Sequence, residues 1–268
     1  MSYELPSSPL SIGGVIDSAI RLYRSSIRHC WILALIYAGL LGASTIVWSL
    51  TLLNVVPGRT DPKQLFGLMF SPATIIPMLL VMVISFIFYG ALIKVESVLA
   101  RGDPPLSLGE AIAAGARRLP GMLLASLISL VAICIGFILL IIPGIYLLGR
   151  IQLWAAAMFV EGAGAFESFE ITWRLTRGRW WRGTAILSVG FVLLYVFAIA
   201  FSLIAALMSV AVHLTVIERV VINQLFSVFS NIIVLPIFVA IVLVMYHDFK
   251  LRSEGGDLVA RMGSLGKV

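Results

Sequence analysis

GMLLASLISLVAICIGFILLIIPGIYLLGRIQLWAAAMFV, Gly121 to Val160, carries a single charge, Arg150, in forty residues. About 20 apolar residues cross the hydrocarbon core of a bilayer, so the stretch is long enough to cross twice. The turn signal inside it is IIPG, Ile141 to Gly144. With a break there the chain crosses at Gly121–Ile142 and again at Pro143–Val160. Without one, residues 121 to 149 form one overlong helix. Whether the protein has five spans or six hangs on those four residues.

The rest of the chain is of the same kind. Hydrophobic residues make up 60% of the 268 and charged residues 12%, with a mean hydropathy of +1.07, where soluble domains average about 45–50% and 25%. Four further spans are read at Trp31–Leu53, Thr74–Leu99, Thr184–Val212 and Val221–Tyr246. No signal peptide is evident ahead of the first apolar run. With six spans one side collects Arg21, Arg24, Arg28, Arg101, Arg117, Arg118, Arg174, Arg177, Arg179, Arg182, Lys250, Arg252, Arg261 and Lys267, fourteen of the 19 basic residues. The other side keeps Arg59, Lys63 and Arg219, while Lys94 and Arg150 fall within spans. Basic residues of short loops mark the cytoplasmic face, so six spans and two cytoplasmic termini are predicted. The same asymmetry accounts for the net charge of +6 and the pI near 9.6, which otherwise suggest nucleic acid; no nucleic-acid partner is expected.

FESFEITWRLTRGRWW, residues 166 to 181, shows how the loops are built. Glu167, Glu170, Arg174 and Arg177 recur at helical spacing as a polar stripe, and Phe166, Phe169 and Trp173 as an apolar one. Glu170 and Arg174 have the spacing of an i,i+4 pair, and Gly178 stands where a helix C-terminal glycine would. This predicts an amphipathic helix on the cytoplasmic surface, with Trp180 and Trp181 at headgroup level. Ser11–Arg24 and Ser107–Pro120 align with Gly164–Arg177 without gaps, Arg21, Arg117 and Arg174 sharing one offset. Ser107 and Glu110 form a capping-box pattern. The expected architecture is all-α: one integral membrane domain over 1–268, six spans and three amphipathic surface helices. The surface helices fall at about 11–28, 107–118 and 164–177. A threefold repeat of surface helix plus hairpin covers 11–100, 107–160 and 164–248, with a cytoplasmic tail at 249–268.

LIIPGIYLLGRIQLWAAAMFVEGAGAFESFEITWRLTRGRWWR, Leu140 to Arg182, resembles the membrane domain at the front of some bacterial glycerophosphoryl diester phosphodiesterases, and stand-alone bacterial inner-membrane proteins. The proline–glycine turn, Arg150 six residues after that glycine, Glu161 and the W-R-L-T-R-G helix carry the likeness, as does SIGGVIDSAIRLYR near the start. The resemblance implies a six-helix domain of the bacterial inner membrane and implies no chemistry. Hydrolytic family members carry a separate domain of metal-binding histidines and acids. No such set follows Tyr246 here, so phosphodiesterase activity is not carried over.

Candidate site residues are few. Arg150 lies seven residues past Pro143, about 10 Å into the membrane at 1.5 Å per residue. A central arginine costs roughly 2.5–3.5 kcal/mol on insertion scales, so it requires a carboxylate, freed carbonyls or a wet cavity; Glu96 and Glu161 are the candidate carboxylates. Lys94 snorkels to the interface. Gln224, Ser227 and Asn231 give the sixth span a polar face, with Asn223 and Ser230 beside it. Arg21, Arg117, Arg174 and Arg177 are the expected lipid contacts of the surface helices. Cys30 and Cys134 read as buried small hydrophobes, His29, His213 and His247 as interfacial, and Asp248 as a solvated span terminus. No cofactor, metal set or nucleophile–base pair is visible. A non-enzymatic scaffold or lipid-interacting module, its basic face against anionic lipid, is the expected function. The alternative is a small transporter or channel using Arg150 and the polar face of the sixth span.

Overall fold

The computed structural model describes residues 3–53, 62–212 and 215–265; Arg59, His213 and Lys267 lie outside them. All its regular elements are helices: α1 Ile12–Leu53, α2 Pro62–Met69, α3 Pro72–Ala100, α4 Leu108–Leu139, α5 Ile141–Ile151, α6 Trp154–Val160, α7 Ala165–Thr176, α8 Trp180–Ala211 and α9 Val216–Leu265. Six stretches are long and apolar enough to cross a membrane, α5 and α6 together making the fourth.

The decisive break is real and lies one residue ahead of IIPG. Leu140 is a single extended residue, φ −173° and ψ 158°, between α4 and α5. Pro143 then falls in the first turn of α5, where its missing N–H would have had no helical acceptor. The fourth span breaks a second time at Gln152 and Leu153, between α5 and α6.

Two of the three expected surface helices are not separate elements. Residues 12–28 are the first turns of α1, and residues 108–118 the first turns of α4. Nothing between Arg28 and Trp31 stops a helix. At the second site Pro120 is carried inside α4, a single lost backbone bond within a long, packed helix. Only α7 stands apart from its span, because Gly178 takes φ +72°, a conformation open to glycine and strained for most residues. The capping box at Ser107 and Glu110 forms in both directions.

α9 is the central element. It packs most extensively on α1 and next on α8, while α3 packs on both α1 and α4. Val239 through Met245 are buried on every side, whereas α8 turns most of its length outward. Lipid tails are as apolar as the side chains facing them, so cohesion comes from close approach rather than from expulsion of water. Gly115 supplies one such approach: a Cβ there would stand 2.2 Å from the Ile87 carbonyl oxygen of α3. α4 can therefore lie against α3 only with glycine at this position.

Candidate anion-binding face at the basic end

The ends of α3, α6 and α9 meet the starts of α1, α4 and α8, and this end carries the arginines. Asp248, 2% exposed, is its hub. Its Oδ2 accepts from Arg182 Nε and Nη2 at 3.1 and 3.0 Å and from Arg252 Nε at 3.0 Å. Its Oδ1 accepts from the Leu10 amide at 2.8 Å. Both arginines also donate to the Leu10 carbonyl, Arg182 at 2.5 Å and Arg252 at 2.6 Å. Arg179 donates to the Arg252 carbonyl, and His247 bonds the Pro6 carbonyl. The segment ahead of α1 is thus fastened across the end of the bundle. Asp248 is not the solvated terminus expected of it. Its spacing to Arg252 was a helical i,i+4 pair in the sequence; Leu10 and Arg182 are too distant along the chain to have been suspected.

Glu161 is the second node. It accepts from Tyr246 Oη at 2.8 Å and Lys250 Nζ at 2.7 Å, both on α9. The Lys250 ammonium, helped by the Tyr246 hydroxyl, holds the Glu161 carboxyl below its ordinary range against a smaller opposing effect of burial. Two clefts lie on either side of this residue. One, about 380 Å³, is lined by Leu5, Arg101, Tyr246, His247, Lys250 and Glu254 among others. The other, about 410 Å³, lies between α3, α4 and α6 and holds Lys94, Arg101, Arg117 and Arg118, with Glu161 on its wall. Arg101 donates to the Val160 carbonyl and Arg118 to the Ala163 carbonyl, the latter at 3.0 Å. The last carbonyl of α6, at the negative pole of its dipole, orients Arg101, and the Ala163 carbonyl in the loop that follows orients Arg118.

Arg150 faces the interior, 5% exposed, but neither Glu96 nor Glu161 is its partner. Its Nη1 donates to Thr176 Oγ1 at 3.0 Å, and its guanidinium lies 4.0 Å from the Trp173 ring centroid and 5.8 Å from that of Tyr146. An aromatic face and a hydroxyl thus stand where a carboxylate was expected. Both Thr176 and Trp173 belong to α7, whose buried side is not the apolar stripe but Ala165, Ser168, Thr172, Leu175 and Thr176. Ser168, Thr172 and Thr176 return their hydroxyls to carbonyls of their own helix, which makes that polar column inexpensive to bury. Phe166 faces outward, and Trp173 stays partly exposed while its ring covers Arg150. The Glu170–Arg174 pair does not form; the surface pair that does is Asp17–Arg21.

Glu96 is fully buried on α3, with Ser26 Oγ 3.4 Å from its Oε1; Oε2 has no partner among the described residues. Gln224 donates to the Gly42 carbonyl of α1 at 3.4 Å, and Asn231 to the Ser227 carbonyl of its own helix at 2.8 Å. The structure does not bring these residues to Arg150. Arg21, Arg117, Arg174 and Arg177 are all exposed. Cys30 is buried, but Cys134 is exposed on α4.

A family described as a domain of unknown function (DUF7847) matches residues 106–249. The chain belongs to this family. The DUF7847 region takes in α4 through the hub residue Asp248, and so contains Arg117, Arg118, Arg150, Glu161 and Arg182, while Lys94 and Arg101 come from α3 ahead of it. No curated protein and no solved structure matches the chain.

Proposed function

We propose that the protein is a non-enzymatic, lipid-interacting module of the bacterial inner membrane, both termini cytoplasmic, that holds anionic phospholipid against its basic end. The observation that supports this reading is the cleft of four cations beside Glu161, where the ends of α3 and α6 meet the start of α4. Cations near an anionic leaflet contribute about 1 kcal/mol each. In this reading α7 lies along the membrane surface, Phe166 and Trp173 toward lipid and Arg174 and Arg177 toward headgroups. Arg21 and Arg117 do the same from the first turns of α1 and α4. The family match, from residue 106 to 249, spans the second and third of the three units of surface segment plus hairpin, consistent with a repeat. The likeness of Leu140–Arg182 to the membrane domain of glycerophosphoryl diester phosphodiesterases fits a module of this kind.

Lipid retained after mild detergent extraction tests the function. Anionic phospholipid should be enriched several-fold over zwitterionic lipid relative to the host membrane; equal retention would overturn the reading. Orientation is tested separately in a chain lacking Cys30 and Cys134. An impermeant thiol reagent added outside should label a cysteine at Lys63 and miss one at Arg177.

A further inference from the structure

Four cations share one cleft with little to neutralise them. Arg101 and Arg118 each give one N–H to a carbonyl, and a guanidinium has five. The side chains of Lys94 and Arg117 make no hydrogen bond or ion pair among the described residues. Of the nearby carboxylates, Glu161 on the wall is bonded through Oε1 to Lys250 and Tyr246, and Asp103 lies two residues past Arg101, outside the cleft lining. The cleft therefore holds a surplus of positive charge in fixed positions, since carbonyls already orient two of the guanidinium heads. An incoming anion finds its donors arranged and forfeits little ordering entropy. At about 410 Å³ the cleft falls within the usual size of ligand sites, roughly 300–1,000 Å³.

Its shape narrows the ligand class. Lys94 lies six residues before the end of α3, about 9 Å deeper than Ala100 at 1.5 Å per residue, while Arg101, Arg117 and Arg118 ring the mouth. Met158, Phe159 and Val160 back the cleft, the first two buried and Val160 partly exposed. Four cationic donors on one cleft suit a tetrahedral anion with several oxygens to share among them. Arginine forks and a lysine point charge are the side chains that bind phosphate.

We infer that the cleft between α3, α4 and α6 is a phosphate-binding site, in which Lys94, Arg101, Arg117 and Arg118 seat the phosphate of an anionic phospholipid headgroup. This deepens the proposed function and rests on it for the lipid, though not for the phosphate. Lys94 contacts the oxygen that lies deepest, and the three arginines contact those at the membrane surface. Arg117 comes from the family-matched region and Lys94 from the helix ahead of it, so the site requires both parts of the chain.

The test measures thermal stabilisation of the full-length, detergent-solubilised protein by phosphatidylglycerol, with phosphatidylcholine as reference. A second titration uses inorganic phosphate against chloride at equal ionic strength. Lys94→Gln/Arg117→Gln removes two charges from the cleft; Arg174→Gln/Arg177→Gln removes two from α7. Arg117→Gln alone, at an exposed position, serves if the cleft pair fails to fold. The half-saturating phosphatidylglycerol concentration should rise at least tenfold in the cleft pair, or about threefold in Arg117→Gln, and change less than twofold in the α7 pair. Equal weakening in both pairs would overturn the cleft while leaving a lipid-binding basic face. Stabilisation by inorganic phosphate alone, lost in the cleft pair, would support the phosphate site and overturn the lipid function. No response to either probe would overturn the site.

Discussion

Asp248 and Glu96 are both carboxylates removed from solvent, and the protein treats them differently. Asp248, at the basic end, meets two guanidinium groups and a main-chain amide, drawn from α8, α9 and the segment before α1. Glu96, inside the bundle, meets one serine hydroxyl. Arg150, the interior cation, likewise meets a hydroxyl and an aromatic ring rather than an acid. Around Asp248, charges neutralise one another and fasten elements far apart in sequence. In the interior, opposite charges stay apart and uncharged groups stabilise each one. The end is an ionic clasp; the interior is a set of separate accommodations.

The largest effect should come from opening the clasp. Asp248→Ala leaves two arginines facing each other and the Leu10 amide unbonded; breaking a buried pair in this way costs about 3 kcal/mol. Thermal unfolding in detergent should show a large fall in Tm, and limited proteolysis should cut residues 3–10 sooner than in the native chain. A loss no greater than that of an exposed pair such as Asp17–Arg21 would erase the contrast between end and interior.

Replacing Arg150 should cost less. Arg150→Leu loses a hydrogen bond and a cation–π contact, together about 1–2 kcal/mol. Arg150→Lys should recover part of that, because an ammonium lacks the planar fork. Trp173→Leu should be non-additive with Arg150→Leu, whereas Glu161→Gln should add to it independently. Coupling between Arg150 and Glu161 instead would mean that the interior is held by charge pairing after all.

The smallest effect is a pH dependence. The folded state holds Glu161 below its ordinary pKa, with Lys250 the main cause. Its contribution is therefore present above the unfolded value, about 4.3, and is lost as pH falls through the folded one. Because the pair is about a third exposed, that contribution stays below about 1 kcal/mol. Comparing Glu161→Gln with the native chain by unfolding at pH 7 and pH 3.5 should show a difference that shrinks in acid. A difference that grew in acid would have the wrong sign for this linkage.

The sequence carried the parts of this picture that follow from composition and local rules. Long uncharged runs marked the spans, the IIPG stretch announced the decisive break, which falls at Leu140 rather than between Ile142 and Pro143, and Ser107–Glu110 and Gly178 marked helix ends. The interior position of Arg150 followed from the cost of a lipid-facing charge. Its partners did not, because the rule that a buried charge seeks its opposite favoured Glu96 and Glu161 over Thr176 and Trp173. In α7 the two stripes announced an amphipathic surface helix but not what its third side does. Ser168, Thr172 and Thr176, between the stripes, pack inward, and Thr176 meets Arg150. The clasp was hidden by distance, since nothing at Leu10 announces a partner on the last span.

That distance, 238 residues between Leu10 and Asp248, also sets an order of events during synthesis. At about 5–20 residues per second, roughly 10–50 s separate the appearance of the two residues. Tyr3 can meet Ser18 early, as both belong to the first stretch made. The amide and carbonyl of Leu10 must stay hydrated until the sixth span has been inserted and has carried Asp248 and Arg252 into place. Closure of the basic end therefore reports that the last span has arrived. A chain stalled or truncated before Asp248 would leave its first residues loose and open to proteolysis.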